Sequence, residues 1–224
     1  MNKIGVIFDL DGVIVDTAKY HFLAWKNLAD NLGIEFTETH NELLKGVSRV
    51  RSLEILLGIG NVTLSDVKKQ EILVSKNEDY LGYIKEMGPD EILPGVLTLL
   101  DTLDKNEIKY ALGSASKNAP FILKQVGLYD RFEGIVDGND VSKAKPDPEV
   151  FLIGAKKLNL PPENCIVFED AIAGIEAANI AKMTSVGIGD KETLKEADYN
   201  FNNLTEIPEN FITEFINLKG FLKK

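Results

Sequence analysis

Short apolar runs and helically spaced apolar residues follow one another along the chain. The short runs are rich in β-branched and aromatic residues and are bounded by Asp, Gly or Asn, a pattern that predicts buried strands. Strands are therefore predicted at 3–10, 108–113, 134–136, 165–168 and 184–188. Helical patterns separate these runs, and strands that alternate with helices indicate a parallel sheet covered on both faces.

The helical segments carry start and stop signals of the usual kinds. The helices predicted before residue 88 span 17–32, with Asp16 or Thr17 as N-cap, 48–57, capped by Ser48, and 65–87, capped by Ser65. After residue 88, one helix is predicted to begin at Pro94-Gly95, and others span 118–126, 147–158 and 171–180. In the helix at 147–158, Asp147 and Pro148 are predicted as the N-cap and the first helical residue.

The order of these elements predicts an α/β fold. It consists of a Rossmann-like parallel sheet core with an inserted all-helical cap domain. Residues 1–16 and 88–224 are predicted to form the α/β catalytic core, and residues 17–87 the helical cap domain.

Composition and charge narrow the classes of partner. Of the 224 residues, 44% are hydrophobic and 27% are charged, as in soluble globular proteins. The net charge of −10 disfavours binding to nucleic acid or to an anionic membrane, because both need a basic face. The apolar run 4–8 is too short for a signal peptide or a membrane span, so we expect a cytoplasmic protein. We also expect a monomer whose partner is a small molecule.

The opening sequence VIFDLDGVIVDT places two acids directly after a predicted buried strand. Asp9 and Asp11 are two residues apart in the sequence, so their negative charges repel each other unless another charge neutralises them. A divalent cation is the usual solution, since Mg²⁺ prefers hard oxygen ligands and often combines one or two carboxylates with phosphate oxygens. The stretch therefore suggests a metal-dependent phosphate site.

Polar residues also follow the other predicted strands, where ligands collect in an open α/β sheet. Ser114, Ser116, Lys117 and Asn118 follow the second strand, Lys145-Pro146 lies in a later loop, and Glu169-Asp170 follow the strand that ends at Phe168. Acids that hold Mg²⁺, a hydroxyl for phosphate oxygens and a lysine to balance charge suit phosphoryl transfer. Asp9 can act as the nucleophile and form an aspartyl phosphate.

These motifs resemble the haloacid-dehalogenase-like phosphotransferase superfamily, in the same order and over nearly the whole chain. The motifs are Asp9-Leu10-Asp11-Gly12-Val13 with Asp16-Thr17, Ser114, Lys145-Pro146 and Glu169-Asp170. More narrowly, the chain is similar to the β-phosphoglucomutase family in the stretches 17–21, 44–49 and 114–118, and at Lys76-Asn77. One position departs from the pattern, since Ala171 stands where the family usually has Ser.

The resemblance implies a role for each matching residue. Asp9 is the expected nucleophile and Asp11 the general acid/base, while Ser114 and Lys145 hold the transferring phosphate. The implied Mg²⁺ ligands are Asp9, the backbone carbonyl of Asp11, Glu169 and Asp170. The implied substrate-binding residues are Thr17, His21, Lys45, Gly46, Arg49, Lys76, Ser116 and Asn118.

The resemblance also implies a reaction. β-D-Glucose 1-phosphate and glucose 6-phosphate interconvert through an aspartyl-phosphate enzyme, with glucose 1,6-bisphosphate as intermediate and phosphoryl primer. Such a mutase needs a second phosphate site, and Arg49 suits it because a guanidinium binds phosphate in a bidentate manner.

Three other interpretations stay open at this point. A phosphatase of the same fold, acting on a small sugar phosphate or phosphoglycolate, needs the same nucleophile and metal site, and only cap residues distinguish it. A phospho-acceptor signalling domain, in which acidic residues bind Mg²⁺ and one Asp is phosphorylated, needs neither the long helical insertion nor a general acid two residues after the nucleophile. Individually, Lys45, Arg49 and Lys76 can be solvated surface cations, and His21 can be a packed structural residue.

Overall fold

The computed structural model describes residues 4–45 and 47–218, and in this part of the chain a six-stranded parallel sheet forms the centre of the fold. The strands are β1 (Gly5–Phe8), β2 (Tyr110–Gly113), β3 (Gly134–Val136), β4 (Cys165–Glu169), β5 (Thr184–Ile188) and β6 (Tyr199–Phe201). Their order across the sheet is β3-β2-β1-β4-β5-β6. The parallel sheet is confirmed, and β6 is an additional edge strand. Lys3, the predicted start of the first strand, lies outside the described residues.

Nine α-helices are present in the described ranges. They are α1 (Ala18–Asn31), α2 (Glu38–Glu42), α3 (Arg49–Ile59), α4 (Asp66–Ile84), α5 (Val96–Lys105), α6 (Ala119–Gln125), α7 (Glu149–Lys157), α8 (Ile172–Ile180) and α9 (Phe211–Leu218). The pattern analysis did not predict α2 or α9.

Two of the predicted helix caps are confirmed and one is displaced. The hydroxyls of Ser48 and Ser65 accept hydrogen bonds from backbone N–H groups in the first turns of α3 and α4. The prediction for α7 was wrong by one residue, because Pro148 occupies the N-cap position rather than the first helical position. The Asp147 side chain accepts a bond from the Glu149 N–H two residues on, which forms a local turn before the helix.

The sheet divides the core into two apolar layers because successive strand residues point to opposite faces. Val6 and Phe8 of β1 belong to a cluster that includes residues of α5, α6 and α9. Ile7 belongs to a second cluster, with residues of α7 and α8. Both faces of the sheet are therefore covered by helices, as expected for a parallel sheet.

The helices α1, α3 and α4 share an apolar cluster of their own. It contains Trp25 of α1, Leu56 of α3 and Leu73 of α4. The two chain segments that link this helical region to the sheet run side by side, since the Asp16 N–H donates to the Glu91 carbonyl and the Leu93 N–H donates to the Ile14 carbonyl. The exact division at residues 17 and 88 stays a prediction.

The strand order also fixes where a ligand site forms. From β1 the chain builds the sheet outward in both directions, so its connections diverge between β1 and β4. Such a switch point creates a crevice at the carboxyl ends of the strands. Asp9 follows β1 directly, and its N–H donates to the Phe168 carbonyl in β4, so Asp9 lies beside Glu169.

Within the described ranges, no helix is long and apolar enough to cross a membrane.

Gly95, at the start of α5, provides a test of this packing. Its φ is +90°, and a Cβ atom there would lie 2.7 Å from the backbone carbon of Leu204. We expect Gly95→Ala to lower the free energy of unfolding by about 2–4 kcal/mol, because a left-handed backbone and a clash with main chain both oppose it. Urea denaturation measures this change.

Gly33→Ala is the matched control. Gly33 also has a positive φ, +70°, but no atom lies within 4 Å of a Cβ built there. Its expected cost is about 1–2 kcal/mol, from backbone conformation alone. Equal costs for the two variants would show that the contact with Leu204 does not limit the packing of α5.

Candidate active site

A pocket of about 300 Å³ lies between the carboxyl ends of the strands and the helices α1, α3 and α4. Its size is at the lower end of the range typical of small-molecule sites. Most residues predicted from the sequence line it, namely Asp9, Asp11, Thr17, His21, Lys45, Arg49, Lys76, Ser114, Ser116, Asn118, Lys145 and Asp170. Glu169 lies beneath this surface and is completely buried. Gly46 lies outside the described residues.

A buried ion triad forms the floor of the pocket. The Lys145 ammonium lies 2.5 Å from Asp9 Oδ1 and 2.9 Å from Glu169 Oε2. Burial disfavours the charge on Lys145, but the two carboxylates outweigh this effect and raise the pKa of Lys145 above its usual value. Lys145 precedes Pro146 through a cis peptide bond. The triad fixes the position of Asp9 at the end of β1.

The acids around this triad are crowded. Burial, with a contribution from the charge of Asp9, raises the pKa of Glu169 to about 7, although Lys145 opposes the shift. Burial and the charges of Glu169 and Asp9 raise the pKa of Asp170 well above its usual value. Lys145 pairs with Asp9 and Glu169 but not with Asp170, so this group of three carboxylates keeps an excess of negative charge that a cation would neutralise.

The donor set fits a magnesium ion. One carboxylate oxygen each from Asp9, Glu169 and Asp170 lie within 4.8 Å of one another. Oxygen ligands alone, with more than one carboxylate, are what Mg²⁺ prefers. The Asp11 side chain is not part of this group, and the predicted ligand from Asp11 is its backbone carbonyl. That ligand stays a prediction.

The Asp11 side chain instead points toward α1. The Thr17 hydroxyl donates a hydrogen bond to Asp11 Oδ1, and His21 Nε2 lies 4.0 Å from the same oxygen. Burial, followed by the charge of Asp9, raises the pKa of Asp11 to about 7, while the bond from Thr17 opposes the shift. Thr17 occupies the N-cap position of α1 without capping it, because its hydroxyl is used by Asp11.

Lys76 reaches the pocket from α4 and is almost completely buried, with 2% of its surface exposed. Its Nζ lies 3.2 Å from His21 Nδ1. Burial, followed by the charge of Arg49, lowers the pKa of Lys76 to about 7, while Asp11 and Asp79 oppose the shift. The lysine is therefore part of the pocket wall and not a solvated surface cation.

Arg49 at the start of α3 and Asn118 after β2 both line the pocket. Arg49 forms no ion pair with a carboxylate in the described part of the chain, and burial lowers its pKa. Asn118 occupies the N-cap position of α6 without capping it. Its Nδ2 donates to Asn77 Oδ1 at 3.0 Å, which links α4 to the loop after β2. The Ser116 hydroxyl accepts the Asn118 N–H.

Several pocket residues were not among the predicted site residues. Lys117 and Lys143 add cations to the lining, and Trp25 and Tyr80 add aromatic rings. Trp25 and Tyr80 occupy apolar positions of amphipathic helices, which the sequence alone does not distinguish from ordinary core. Lys143 lies in the loop between β3 and α7, where its ammonium is 3.4 Å from Asp147, and only the tertiary fold brings it to the pocket.

Comparisons with known proteins agree with this geometry. A family model described as haloacid dehalogenase-like hydrolase matches residues 5–182. The β-phosphoglucomutase of Bacillus subtilis (strain 168) is 46% identical to this chain over 195 residues, which cover 86% of each protein. A phosphorylated carbohydrates phosphatase of Thermotoga maritima is 31% identical over 201 residues, which cover 86% of this chain and 90% of that protein.

A solved structure shows a similar fold over the same length. The crystal structure of β-phosphoglucomutase from Clostridium difficile matches with a TM-score of 0.92 and 43% sequence identity. The match covers 99% of this chain and 100% of the other chain.

Gly174, in the first turn of α8, tests the packing of Glu169, one of the three carboxylates that could hold a metal ion. A Cβ atom at this position would lie 2.0 Å from the carboxyl carbon of Glu169. We expect Gly174→Ala to displace this carboxylate and to weaken Mg²⁺ binding roughly 10- to 100-fold, as losses of ligand support commonly do. Calorimetric titration of the purified protein with Mg²⁺ measures the affinity directly.

Gly58→Ala in α3 is the control, because no atom lies within 4 Å of a Cβ built there. We expect it to leave Mg²⁺ affinity unchanged and to raise stability by up to about 1 kcal/mol through helix propensity. Unchanged Mg²⁺ affinity in Gly174→Ala would show that Glu169 is not held by the close approach of α8.

Proposed function

The chain belongs to the haloacid dehalogenase-like hydrolase family, and on this basis we propose that it is a β-phosphoglucomutase. It interconverts β-D-glucose 1-phosphate and glucose 6-phosphate. The observation that carries the proposal is a single pocket with a nucleophilic carboxylate at one end and Arg49, a cation without an acidic partner in the described residues, in the opposite wall. A bisphosphate intermediate needs both.

The proposed cycle begins with a phosphoryl group on Asp9, supplied by glucose 1,6-bisphosphate. The 6-hydroxyl of the substrate attacks this phosphorus, its proton passes to Asp11, and the bond between phosphorus and Asp9 breaks. The bisphosphate then turns round in the pocket. An Asp9 oxygen attacks the other phosphorus, the bond to sugar oxygen O1 breaks, and Asp11 returns the proton to that oxygen.

The surroundings of the two acids support these roles. Lys145 contacts one Asp9 oxygen, and the Asp11 N–H donates to the other at 3.0 Å, so the nucleophile is held by two donors. The Thr17 hydroxyl holds the Asp11 carboxyl at the start of α1, and His21 lies 4.0 Å from the same oxygen. Ser114 is completely buried at the end of β2, where its hydroxyl can contact a transferring phosphate together with Lys145.

We assign the metal and the second phosphate on the same basis. Mg²⁺, held by Asp9, Glu169, Asp170 and the Asp11 carbonyl, would neutralise the oxygens of the transferring phosphoryl group. Arg49, Ser116 and Asn118 bind the other phosphate, and Lys45, Gly46 and Lys76 complete the substrate site. The helices over the pocket restrict water, which would otherwise hydrolyse the aspartyl phosphate. A monomeric, cytoplasmic enzyme stays our prediction.

A phosphatase acting on a small sugar phosphate is the second candidate. The relative from Thermotoga maritima carries that description, and the nucleophile and metal site serve hydrolysis equally well. The mutase is favoured because the relative of that name is more similar, at 46% against 31% identity, and because Arg49 and Lys76 supply cations beyond those that one phosphate needs.

The product distribution distinguishes the two reactions. We expect β-glucose 1-phosphate, Mg²⁺ and a trace of glucose 1,6-bisphosphate to yield glucose 6-phosphate without an equal release of inorganic phosphate. Asp9→Asn should reduce this turnover by at least about 10⁴-fold, since no aspartyl phosphate can form. Phosphate release without glucose 6-phosphate would identify a phosphatase, and an active, folded Asp9→Asn variant would exclude Asp9 as nucleophile.

Arg49→Ala tests the second phosphate site. We expect kcat/KM for β-glucose 1-phosphate to fall by roughly 10²–10³-fold, because a charge-assisted bidentate contact is lost. Hydrolysis of a generic aryl phosphate, which has no second phosphate, should fall far less.

Arg51→Ala is the matched control, since Arg51 is exposed and pairs with Glu54 at 2.9 Å. It should leave both activities near the wild-type level. Equal losses of the two activities in Arg49→Ala would show that Arg49 does not bind a second phosphate.

A further inference from the structure

Four side chains from the facing helices α1 and α4 form a cluster at the edge of the pocket. His21 and Trp25 are four residues apart on α1, and Lys76 and Tyr80 are four residues apart on α4. Residues at this spacing lie one above the other on the same helix face. The cluster therefore results from the register of the two helices and is not a chance contact of long side chains.

The ammonium of Lys76 lies against two aromatic faces. Its Nζ is 4.5 Å from the centre of the Trp25 ring and 4.9 Å from the centre of the Tyr80 ring. Both distances are within the range of cation–π attraction, which is stronger when the groups are desolvated. Trp25 and Tyr80 are buried, with 2% and 1% of their surfaces exposed. The rings favour the charged form of Lys76 and so oppose the effect of burial.

Tyr80 also supports the histidine. Its ring stacks on His21 with a centroid distance of 4.1 Å and an interplanar angle of 21°. The Tyr80 hydroxyl has no hydrogen-bond partner among the described residues, although Thr17 is close enough to influence its pKa. What Tyr80 contributes to its neighbours is therefore the face of its ring.

Aromatic rings beside an ammonium affect its hydrogen-bond donors differently from a carboxylate. A carboxylate would accept hydrogen bonds from the ammonium and cancel its charge, whereas a ring face stabilises the charge and accepts no conventional hydrogen bond. Lys76 has three N–H donors, and the contact with His21 uses at most one. In the described part of the chain, no carboxylate lies within 4 Å of this ammonium. Donors therefore remain for an oxygen of a bound ligand.

We propose that Tyr80, together with Trp25, is a positioning residue that acts through Lys76. The two ring faces hold a charged ammonium at the pocket wall and leave its hydrogen-bond donors for a sugar or phosphate oxygen of the substrate. The inference rests on the proposed mutase function for the identity of that substrate. The ring-supported ammonium itself is a property of the protein that can be measured without turnover.

Fluorinated phenylalanines at position 80 test the proposal with only a small change in side-chain volume. Tyr80→Phe is the reference, and ring fluorines are then added in increasing number, which weakens the negative potential of the ring face. We expect kcat/KM for β-glucose 1-phosphate to decrease progressively, by roughly tenfold across the series. The apparent pKa of Lys76, followed by NMR at its Cε, should fall in the same order.

Two controls separate positioning from a structural effect. The same series at Tyr83, a partly buried residue of α4, should leave kcat/KM and the Lys76 resonances unchanged. In a Lys76→Gln background, the series at position 80 should have little further effect on kcat/KM, because residues that act through one another are not additive. Lys76→Gln also assigns the Lys76 resonances by their loss.

The outcomes are distinct. Parallel decreases in kcat/KM and in the pKa of Lys76, both absent without the lysine, support the proposal. A flat series, or a trend that persists in Lys76→Gln, overturns it. If the wild-type protein releases phosphate and forms no glucose 6-phosphate, the proposed function fails, but the pKa series still decides whether the ring of Tyr80 supports the ammonium.

Discussion

The buried contact of Lys145 with Asp9 and Glu169 is the constraint on which the rest of the site depends. An unpaired charge in this environment costs several kcal/mol, so each of the three groups requires the others. Asp9 follows β1 and Glu169 ends β4, so these strands must be neighbours in the sheet. Lys145 must reach them from the loop before α7. The position of Asp9, the proposed nucleophile, is thus fixed by the pairing of β1 with β4 and by one ammonium.

The charges in the walls of the pocket are balanced differently from those on its floor. On the floor, Lys145 is matched by carboxylates, and the acids are in excess. In the helical wall, Arg49 and Lys76 are cations without a carboxylate partner among the described residues. The chain as a whole carries a net charge of −10, and the pocket places two such cations in one wall. An anionic ligand is attracted to the cations in the wall. At the floor, the same ligand meets a cation.

The sequence was sufficient to predict the parts of the fold that depend on local pattern. Buried strands such as β1 and β4 are continuous apolar runs, and polar residues that follow them meet at one edge of the sheet. Edge strand β6 was not predicted, because Tyr199–Phe201 is short and partly exposed and so lacks an apolar run. For Thr17, position predicted a cap, but the tertiary contact with Asp11 uses its side chain instead. Asn118 likewise occupies an N-cap position, but its side chain contacts Asn77. Tyr80 has the pattern of a core residue, and only the register of α1 against α4 gives it a role.

Ala171 shows how the site tolerates a departure from the family pattern. It occupies the N-cap position of α8 in an extended conformation, and its side chain makes no capping hydrogen bond. A serine at an N-cap usually contributes about 1 kcal/mol of stability that alanine does not. The Ala171 backbone N–H, however, donates to Glu169 Oε1 at 3.1 Å, and this bond does not depend on the side chain. The orientation of Glu169 is therefore set by main chain, by Lys145 and by the close approach of Gly174, so the loss of the serine affects the stability of the helix more than the geometry of the carboxylates.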